Sequence, residues 1–340
     1  MALATAALAA AVPAQERPGS YQEEARVERV IVDAYVTDAH GSPIPDLIAS
    51  DFRVRVDSHP VPLESVEWIP ADQPEAALPP DVSASDEDRA STMAPGRLLI
   101  LFFQTDLYVE TRVVGAMRMA LQARRLIREM LPTDRIAVLS FDSHLKLHQD
   151  FTGDKEKLLA AVGRAILTGP PPKPDPDAAP SLARHFDFKA ARRAITPEKS
   201  LAIISKAAMP IVGAKSIFFF GWGLQTIGGM LGPTTPDLKD MAEALPALTA
   251  ARIAIFTLDV TDAAYHSLEG TLSDISDITG GFYEKTNLFP ALALDKVRRA
   301  IDGRYVLVFK KPELPRGYHA VDVALIARKG RVLARAAYRD

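Results

Sequence analysis

Three polar side chains that follow an apolar run are the first candidates for chemistry. Residues 98–108 read LLILFFQTDLY, so Gln104, Asp106 and Tyr108 come directly after the pattern of a buried strand. In α/β folds, ligands bind at the carboxyl ends of such strands. An amide, a carboxylate and a phenol could contact a cation or a protein partner there, although a hard divalent ion needs more anionic charge than one carboxylate supplies.

Other candidate groups have weaker support. His144 and His148 in SHLKLHQ are spaced to share one face of a strand, but no acid or further histidine stands beside them for a metal. We therefore interpret them as surface histidines on a hairpin. Asp259 and Asp262 close the run RIAIFTLDVTD, and we interpret them as acids that cap or solvate a loop.

The enzyme motifs that would carry common reactions are missing from the sequence. Residues 221–229, GWGLQTIGG, begin Gly-x-Gly after a buried strand, but Thr226 occupies the third glycine position of a dinucleotide loop. There is no Gly-x-Ser-x-Gly and no P-loop. We therefore interpret 221–229 as a flexible loop and expect a protein that is not an enzyme.

The composition is that of a folded protein with room for more than one structural unit. The chain has 340 residues, of which 48% are hydrophobic and 24% are charged. A net charge of -3 gives no basic surface for nucleic acid. Because the sequence has no cysteine, disulfides, thiolate zinc sites and thiol nucleophiles are excluded.

Residues 1–14 are a candidate targeting segment. They read MALATAALAAAVPA, are small and apolar, and precede the polar run QERPGSYQEE, as the end of a signal peptide does. The segment lacks a positive amino-terminal region, so a start further upstream or an ordinary alanine-rich helix remains an alternative. No other run approaches the ~20 apolar residues that span a bilayer. We expect a periplasmic or secreted protein without a transmembrane segment.

Strand and helix patterns alternate between residues 96 and 302. The apolar runs RLLILFF, KSIFFFGWG and RIAIFTLDVTD predict buried strands, and amphipathic stretches such as VVGAMRMALQARRLIREML predict helices between them. DRIAVLSFDSHLKLHQDF predicts a hairpin. This alternation predicts an α/β fold, with a doubly wound, mostly parallel sheet and helices on both faces. Right-handed crossovers then bring the carboxyl ends of the three runs to one edge.

Strand patterns flank this α/β unit on both sides. Residues 15–70 offer three or four short strands and residues 303–340 offer three, and neither set makes a sandwich alone. We therefore predict that 27–68 and 304–338 form one accessory β-sandwich, with the α/β unit inserted between its halves. Residues 71–95, which are rich in proline, alanine and acid, predict a solvated linker. The proline-rich run 168–180 predicts a projecting loop that proteases reach early.

The order of these elements resembles the von Willebrand factor A-related proteins common in acidobacteria. Three stretches carry the resemblance: VTDAHGSPIPDLIASDF at 36–52, DRIAVLSFDSHLKLHQDFTGDKEKL at 134–158, and the closing β segment 303–340. The resemblance covers nearly the whole chain from about residue 27 onward, and it implies a von Willebrand factor A-like domain over 96–302.

The resemblance also implies a metal-ion-dependent adhesion site, with Asp-x-Ser-x-Ser after the first strand and a later aspartate. In this sequence Gln104 stands at the first aspartate, Asp106 and Tyr108 stand at the two serines, and Gly221 stands at the later aspartate. Mg²⁺ requires near-octahedral oxygen ligands, and one carboxylate would hold it weakly. We expect these four residues to be vestigial metal positions, with no metal and no other cofactor bound.

Two readings of the site stay open. A register led by Asp106 would place Tyr108 and Glu110 at the serine positions. The threonine that the family supplies from a later loop could correspond to Thr168 or Ser181. Our preferred interpretation of Asp106 in either register is a solvated acid that caps the start of the following helix.

Asp106, Tyr108 and Trp222 are the candidate partner-binding residues, because aromatic side chains with one polar end are favoured at interfaces. Alternatively, Trp222 folds inward over the sheet. We expect an exported protein-binding or adhesion module that carries a degenerate adhesion site. The alternative is a structural or scaffolding component of an envelope assembly that contacts its partners through the β unit.

Overall fold

The computed structural model describes residues 28–75, 96–174, 178–224, 238–326 and 328–340. The candidate targeting segment 1–14 lies outside these residues, as do 76–95 of the predicted linker and Thr226 with the rest of 225–229. Within the described ranges, no helix is both long enough and apolar enough to cross a membrane.

A six-stranded sheet forms the centre of the α/β unit. The strands are β5 (Leu98–Gln104), β6 (Arg135–Phe141), β7 (Leu145–Thr152), β8 (Lys215–Gly221), β9 (Ile253–Asp259) and β10 (Tyr283–Lys285). Their order in the sheet is β10-β9-β8-β5-β6-β7, and every neighbouring pair is parallel except β6 with β7. The predicted fold class and the predicted hairpin are therefore confirmed.

Helices cover both faces of this sheet. They are α1 (Glu110–Glu129), α2 (Lys155–Ile166), α3 (Phe188–Ala191), α4 (Pro197–Ala208), α5 (Leu238–Ala250), α6 (Glu269–Thr279) and α7 (Pro290–Ala300), with 3-10 turns at Ala49–Asp51 and Ala183–His185. Because successive strand residues point to opposite faces, β5 supplies both cores. Leu99, Leu101 and Phe103 pack with α1, α2 and α7, whereas Leu98, Ile100 and Phe102 pack with α4, α5 and α6.

The two ends of the chain build one β-sandwich, as the sequence predicts. The strands are β1 (Arg29–Thr37), β2 (Phe52–Val56), β3 (His59–Val61), β4 (Leu63–Pro70), β11 (Gly303–Lys310), β12 (Tyr318–Leu325), β13 (Arg331–Ala334) and β14 (Ala337–Arg339). One sheet has the order β13-β1-β11-β4 and the other has the order β14-β12-β2-β3, so each sheet combines strands from both ends. An apolar cluster joins the two sheets.

Buried ion pairs link the sandwich to the α/β unit. Arg252, which precedes β9, donates to Asp33 on β1 at 2.6 Å and also to Glu75. Arg304 on β11 donates to the same two carboxylates. Glu75 is 7% exposed, so the interpretation of 71–95 as a solvated linker is wrong for this residue. Its carboxylate helps to fix the two units together.

Candidate functional site

The carboxyl ends of β5, β8 and β9 meet at one edge of the central sheet, as the strand order requires. Gln104 ends β5, Gly221 ends β8 and Asp259 ends β9. Gly221 is paired with Asp259 in the sheet register, and the backbone of Val260 donates to the Gly221 carbonyl at 2.9 Å. This edge is where the sequence placed its candidate residues.

Gln104 anchors a loop. Its side chain is 2% exposed, and its Oε1 accepts hydrogen bonds from the backbone nitrogens of Trp222 at 3.0 Å and Gly223 at 3.3 Å. Gln104 Nε2 is buried and has no hydrogen-bond partner among the described residues. The single acceptor oxygen of this amide is therefore occupied by hydrogen bonds from the loop that follows β8.

Gly221 leaves no room for a side chain. A Cβ atom built on it would lie 2.5 Å from Cζ of Phe219 and 2.9 Å from Oε1 of Gln104. An aspartate could enter this position only if the Phe219 ring moved. Two of the four positions that the sequence analysis expects to be vestigial, Gln104 and Gly221, therefore offer no anionic ligand at the sheet edge.

Asp106 is held by an ion pair. Its Oδ2 accepts a hydrogen bond from Arg112 at 2.6 Å, and its Oδ1 accepts one from the Tyr108 backbone nitrogen at 2.9 Å. Helix α1 begins at Glu110 with Val109 as N-cap and without a side-chain cap. The interpretation of Asp106 as a solvated helix cap is therefore wrong, because the carboxylate turns toward Arg112 and its side chain is only 16% exposed.

Trp222 is half-buried at the same edge. Its ring packs against the core on the α1 side of the sheet, and the Arg112 guanidinium lies 3.6 Å above the ring centroid. Its buried Nε1 has no hydrogen-bond partner in the part of the chain that is described. This placement matches the inward alternative, so Trp222 supports the edge from beneath Arg112.

Exposed apolar side chains cluster around the edge. Tyr108 is 99% exposed, and six more large apolar side chains lie in the segments that follow β5, β9 and β10. We call this set the apolar rim, and it consists of Leu107, Tyr108, Val109, Tyr265, Leu288, Phe289 and Leu292.

Hydrogen bonds hold the segments of the apolar rim together. Arg118 on α1 donates to Asp262 Oδ1 at 2.7 Å and to the carbonyl of Asn287 at 2.9 Å. The backbone nitrogen of Asp262 donates to the carbonyl of Thr111 at 3.1 Å. Asp262 is therefore a structural link between α1 and the loop after β9, which is more specific than the predicted loop-solvating acid.

Asp259 lies at the centre of a polar cluster that the sequence analysis missed. Its Oδ2 accepts hydrogen bonds from His266 Nε2 at 2.7 Å and from the Tyr283 hydroxyl at 2.9 Å. Glu269 accepts from the backbone nitrogen of His266 at 3.1 Å and pairs with Lys285 at 2.7 Å. Burial and the neighbouring Asp259 carboxylate raise the pKa of Tyr283. The available sequence signal was the His-x-x-Glu spacing of 266–269 shortly after Asp259.

The two histidines of the hairpin do not share an exposed face. His148 on β7 is fully buried, and its Nε2 lies 2.8 Å from Ser140 Oγ. Burial, together with Arg164 and Lys146, lowers the pKa of His148 to about 4. His144 lies in the turn before β7, with Nδ1 3.1 Å from Ser143 Oγ. The interpretation as surface histidines is therefore wrong for His148.

The two residues that could supply a hydroxyl from the later loop make contacts with β7 and with Lys146. Ser181 donates to the buried carboxylate of Asp150 at 2.6 Å. Thr168 has a positive φ of 54°, and its carbonyl accepts from Lys146 at 3.2 Å. Residues 170–174 and 178–180 form neither helix nor strand, as the prolines predict.

No protein-family model matches the sequence, and no curated protein matches it. Similar solved structures include a von Willebrand factor type A protein from Catenulispora acidiphila, with 10% identity, a TM-score of 0.40, and coverage of 88% of this chain and 74% of that one. The ArnB paralog VWA2 from Sulfolobus acidocaldarius has 9% identity and a TM-score of 0.35, with 92% and 75% covered.

The PilB minor pilin of Streptococcus sanguinis, in a point-mutant form, has 9% identity to this chain and a TM-score of 0.39. The match covers 60% of this chain and 61% of the pilin, so it leaves more than a third of the pilin unmatched. Because the identities are 9–10% and the TM-scores are 0.35–0.40, these comparisons assign no activity to this chain. The α/β fold stated above rests on the strand order and helix placement of this chain.

Proposed function

We propose that the chain is an exported, non-enzymatic protein-binding module that docks its partner on the apolar rim without a divalent cation. The main observation that supports this proposal is the placement of exposed apolar side chains. The described residues expose seventeen large hydrophobic side chains, and seven of them belong to the apolar rim. Clustered apolar exposure at one end of a domain is typical of an interaction surface, whereas single scattered residues need no explanation.

The chemistry of the rim favours a partner that presents apolar side chains. The cations beside it are already paired, Arg112 with Asp106, Arg118 with Asp262 and Lys285 with Glu269. A partner carboxylate would have to compete with these pairs. Tyr108 and Phe289 instead offer large, preformed apolar area, the kind of surface that anchors protein interfaces.

Metal independence follows from the chemistry of the former ligand positions. A hard cation such as Mg²⁺ is held through several oxygen ligands and usually through carboxylates. Gln104 has its acceptor occupied, Gly221 has no side chain, and Asp106 is neutralised by Arg112. We therefore include in the proposal that the adhesion site is degenerate and that docking persists in chelator. The sequence segments named above support a von Willebrand factor A-related protein of the acidobacterial type.

Export is part of the proposal and rests on residues 1–14, whose composition matches the end of a signal peptide. The absence of nucleophile and phosphate-binding motifs from the sequence supports a non-enzymatic role. A scaffolding role through the β-sandwich is the second candidate, because Ile48, Tyr318 and Ile326 expose more than half of their surface on that unit.

A double variant, Tyr108→Ala with Phe289→Ala, tests the docking surface. The partner is first captured from the native envelope fraction by cross-linking and then purified, so that its affinity for each variant is measured directly. We expect Tyr108→Ala with Phe289→Ala to weaken binding at least tenfold, because buried aromatic anchors carry about 2 kcal/mol or more each. The melting temperature should stay unchanged, since Tyr108 is 99% exposed and Phe289 is 66% exposed.

Tyr318→Ala is the matched control, because Tyr318 is also exposed, at 56%, but lies on the sandwich. We expect it to bind like the unmodified chain, with and without chelator. Binding that is lost in Tyr318→Ala and retained in the rim variant would contradict the rim and support the scaffolding role. Binding that requires Mg²⁺ would contradict the metal-independent mechanism.

A further inference from the structure

Asp259, His266 and Glu269 form a compact set of metal-type ligands beside the former adhesion site. One ligand atom from each residue lies within 4.8 Å of the other two. Asp259 is 2% exposed, and the side chains of His266 and Glu269 are 16% and 17% exposed. Asp259 is therefore buried, whereas His266 and Glu269 each keep part of their side chain in contact with solvent.

The backbone holds the three ligands in place. Asp259 ends the buried strand β9, and its Oδ1 accepts from the backbone nitrogen of Thr261 at 2.9 Å. Glu269 begins α6, and the hydrogen bond from the His266 backbone nitrogen ties it to the residue three positions earlier. The end of a strand fixes Asp259, the start of a helix fixes Glu269, and the hydrogen bond to Glu269 holds His266. Binding an ion therefore costs less conformational entropy than it would with mobile ligands.

The donor set suits zinc better than magnesium. Zn²⁺ binds imidazole and carboxylate at about 2.0–2.2 Å in tetrahedral sites, which places neighbouring ligand atoms about 3.3 Å apart. Asp259 Oδ2 and His266 Nε2 are 2.7 Å apart, and the third ligand lies within 4.8 Å, so side-chain movements of about 1 Å would fit the ion. Mg²⁺ instead prefers six oxygen ligands.

We propose that Asp259, His266 and Glu269 bind a zinc-class divalent ion, with solvent in the remaining position. This inference does not depend on the docking proposal. Two carboxylates face one ammonium group, that of Lys285, so the set retains one excess negative charge that a cation would neutralise. Metal ions bind the neutral form of histidine and the ionised form of a carboxyl group.

The Lys285 ammonium group and the Tyr283 hydroxyl compete with the ion for the two carboxylates. Lys285 Nζ donates to the Ala264 carbonyl at 2.6 Å as well as pairing with Glu269, and its side chain is 38% exposed, so it can swing into water. Metal at His266 Nε2 would replace the 2.7 Å hydrogen bond from this atom to Asp259. The ring proton would move to Nδ1, and the 3.3 Å hydrogen bond from the Leu268 backbone nitrogen would also be lost. The Tyr283 hydroxyl shares Asp259 with the ion. Lys285 is therefore the main competitor.

Zinc titration by calorimetry of the full chain tests the site. We expect one zinc ion to bind per chain. His266→Ala should weaken that binding at least tenfold, because it removes the only nitrogen ligand of the set. Lys285→Met should tighten it several-fold, because the competing ammonium group is gone. Co²⁺ binding to the same site should give the visible absorption of a tetrahedral ion.

His144→Ala is the matched control, because His144 lies in the turn before β7 and outside the cluster. It should bind zinc like the unmodified chain. A folded chain that binds no zinc at high micromolar concentration would overturn the proposal, as would equal weakening in the His144 and His266 variants, which indicates adventitious surface binding. Weaker binding in Lys285→Met would also overturn it, and this outcome does not depend on how well His266→Ala folds.

Discussion

Gln104 shows how a single amide can anchor a loop at the end of a buried strand. Its Oε1 satisfies two backbone nitrogens of the loop after β8 without placing a charge in a site that is 2% exposed. A carboxylate there would accept the same hydrogen bonds but would also carry the cost of burying a charge. The loop with Trp222 is thus held by two hydrogen bonds to an uncharged side chain.

Gln104→Leu should lower the free energy of unfolding by about 2–3 kcal/mol, because it leaves the backbone nitrogens of Trp222 and Gly223 buried without an acceptor. Urea unfolding followed by circular dichroism measures the change. Gln104→Glu is the control, since it keeps an oxygen acceptor for both backbone nitrogens. Its stability relative to the unmodified chain should improve as acid protonates the carboxyl group, whereas that of Gln104→Leu should not. Full stability in Gln104→Leu would show that the anchor is unimportant.

The sequence predicted the strand ends but not the contacts of the side chains at this edge. Gln104, Asp106 and Gly221 lie at the edge because strand patterns are strong local signals. The pairing of Asp106 with Arg112 and the stacking of Arg112 on Trp222 depend on how α1 leaves the sheet. The polar cluster of Asp259 was missed because its partners are His266, in the loop before α6, and Tyr283 on the short strand β10, and no local pattern places these residues beside the end of β9.

At the scale of elements, long periodic segments were predictable and short ones were not. The strand β10 has only three residues, and its parallel pairing with β9 is a tertiary contact that no local pattern reveals. His148 is buried although β7 is an edge strand, and its Nε2 lies against Ser140 Oγ on the neighbouring strand. Leu182 and Phe186 from the following segment join the core that contains Leu147, and so cover β7 as well. The exposure of an edge strand thus depends on segments of the same chain that are distant in sequence.

Asp150 fixes that covering segment. Its carboxylate, which is 2% exposed, accepts from Ser181 Oγ at 2.6 Å and from the backbone nitrogens of Leu182 and Ala183 at 2.8 and 3.0 Å. Asp150→Ala should therefore destabilise the chain by about 2–3 kcal/mol. It should also speed proteolytic cleavage within 168–187, which limited proteolysis with mass spectrometry measures.

Asp154→Ala is the control for Asp150→Ala. Asp154 caps α2 by accepting from the backbone nitrogens of Glu156 and Lys157, so its loss should cost about 1 kcal/mol. Cleavage within 168–187 should stay at the rate of the unmodified chain, because Asp154 does not contact that segment in any hydrogen bond described for it. Equal acceleration in both variants would mean that global stability, rather than the Asp150 anchor, controls cleavage.

At the scale of the whole molecule, counting strands predicted the sandwich, because neither end of the chain could cover its own apolar face. The joint between the units was not predictable. Glu75 lies in a stretch whose composition is that of a linker, yet it accepts hydrogen bonds from Arg252 and Arg304. Arg252 belongs to the α/β unit and Arg304 to the sandwich, so the full set of ion pairs forms only when both units are in place.

Asp33 makes this joint sensitive to acid. Burial alone would raise the pKa of Asp33, but the guanidinium groups of Arg252 and Arg304 outweigh burial and lower the pKa to about 2. A carboxyl group with a depressed folded-state pKa contributes stability that is complete above its unfolded pKa of about 3.9. That contribution, roughly 2 kcal/mol, is lost as the pH falls toward 2.

Asp33→Asn should consequently have a lower free energy of unfolding than the unmodified chain at pH 7. The difference between the two free energies, called the gap below, should narrow between about pH 4 and pH 2. Urea unfolding across this range measures both stabilities. Asp322→Asn, on the exposed face of β12, is the control and should follow the unmodified chain throughout. Because the asparagine variant has no carboxyl group to protonate at this joint, a gap that stays constant to pH 2 would show that Asp33 acts through packing and not through its ion pairs.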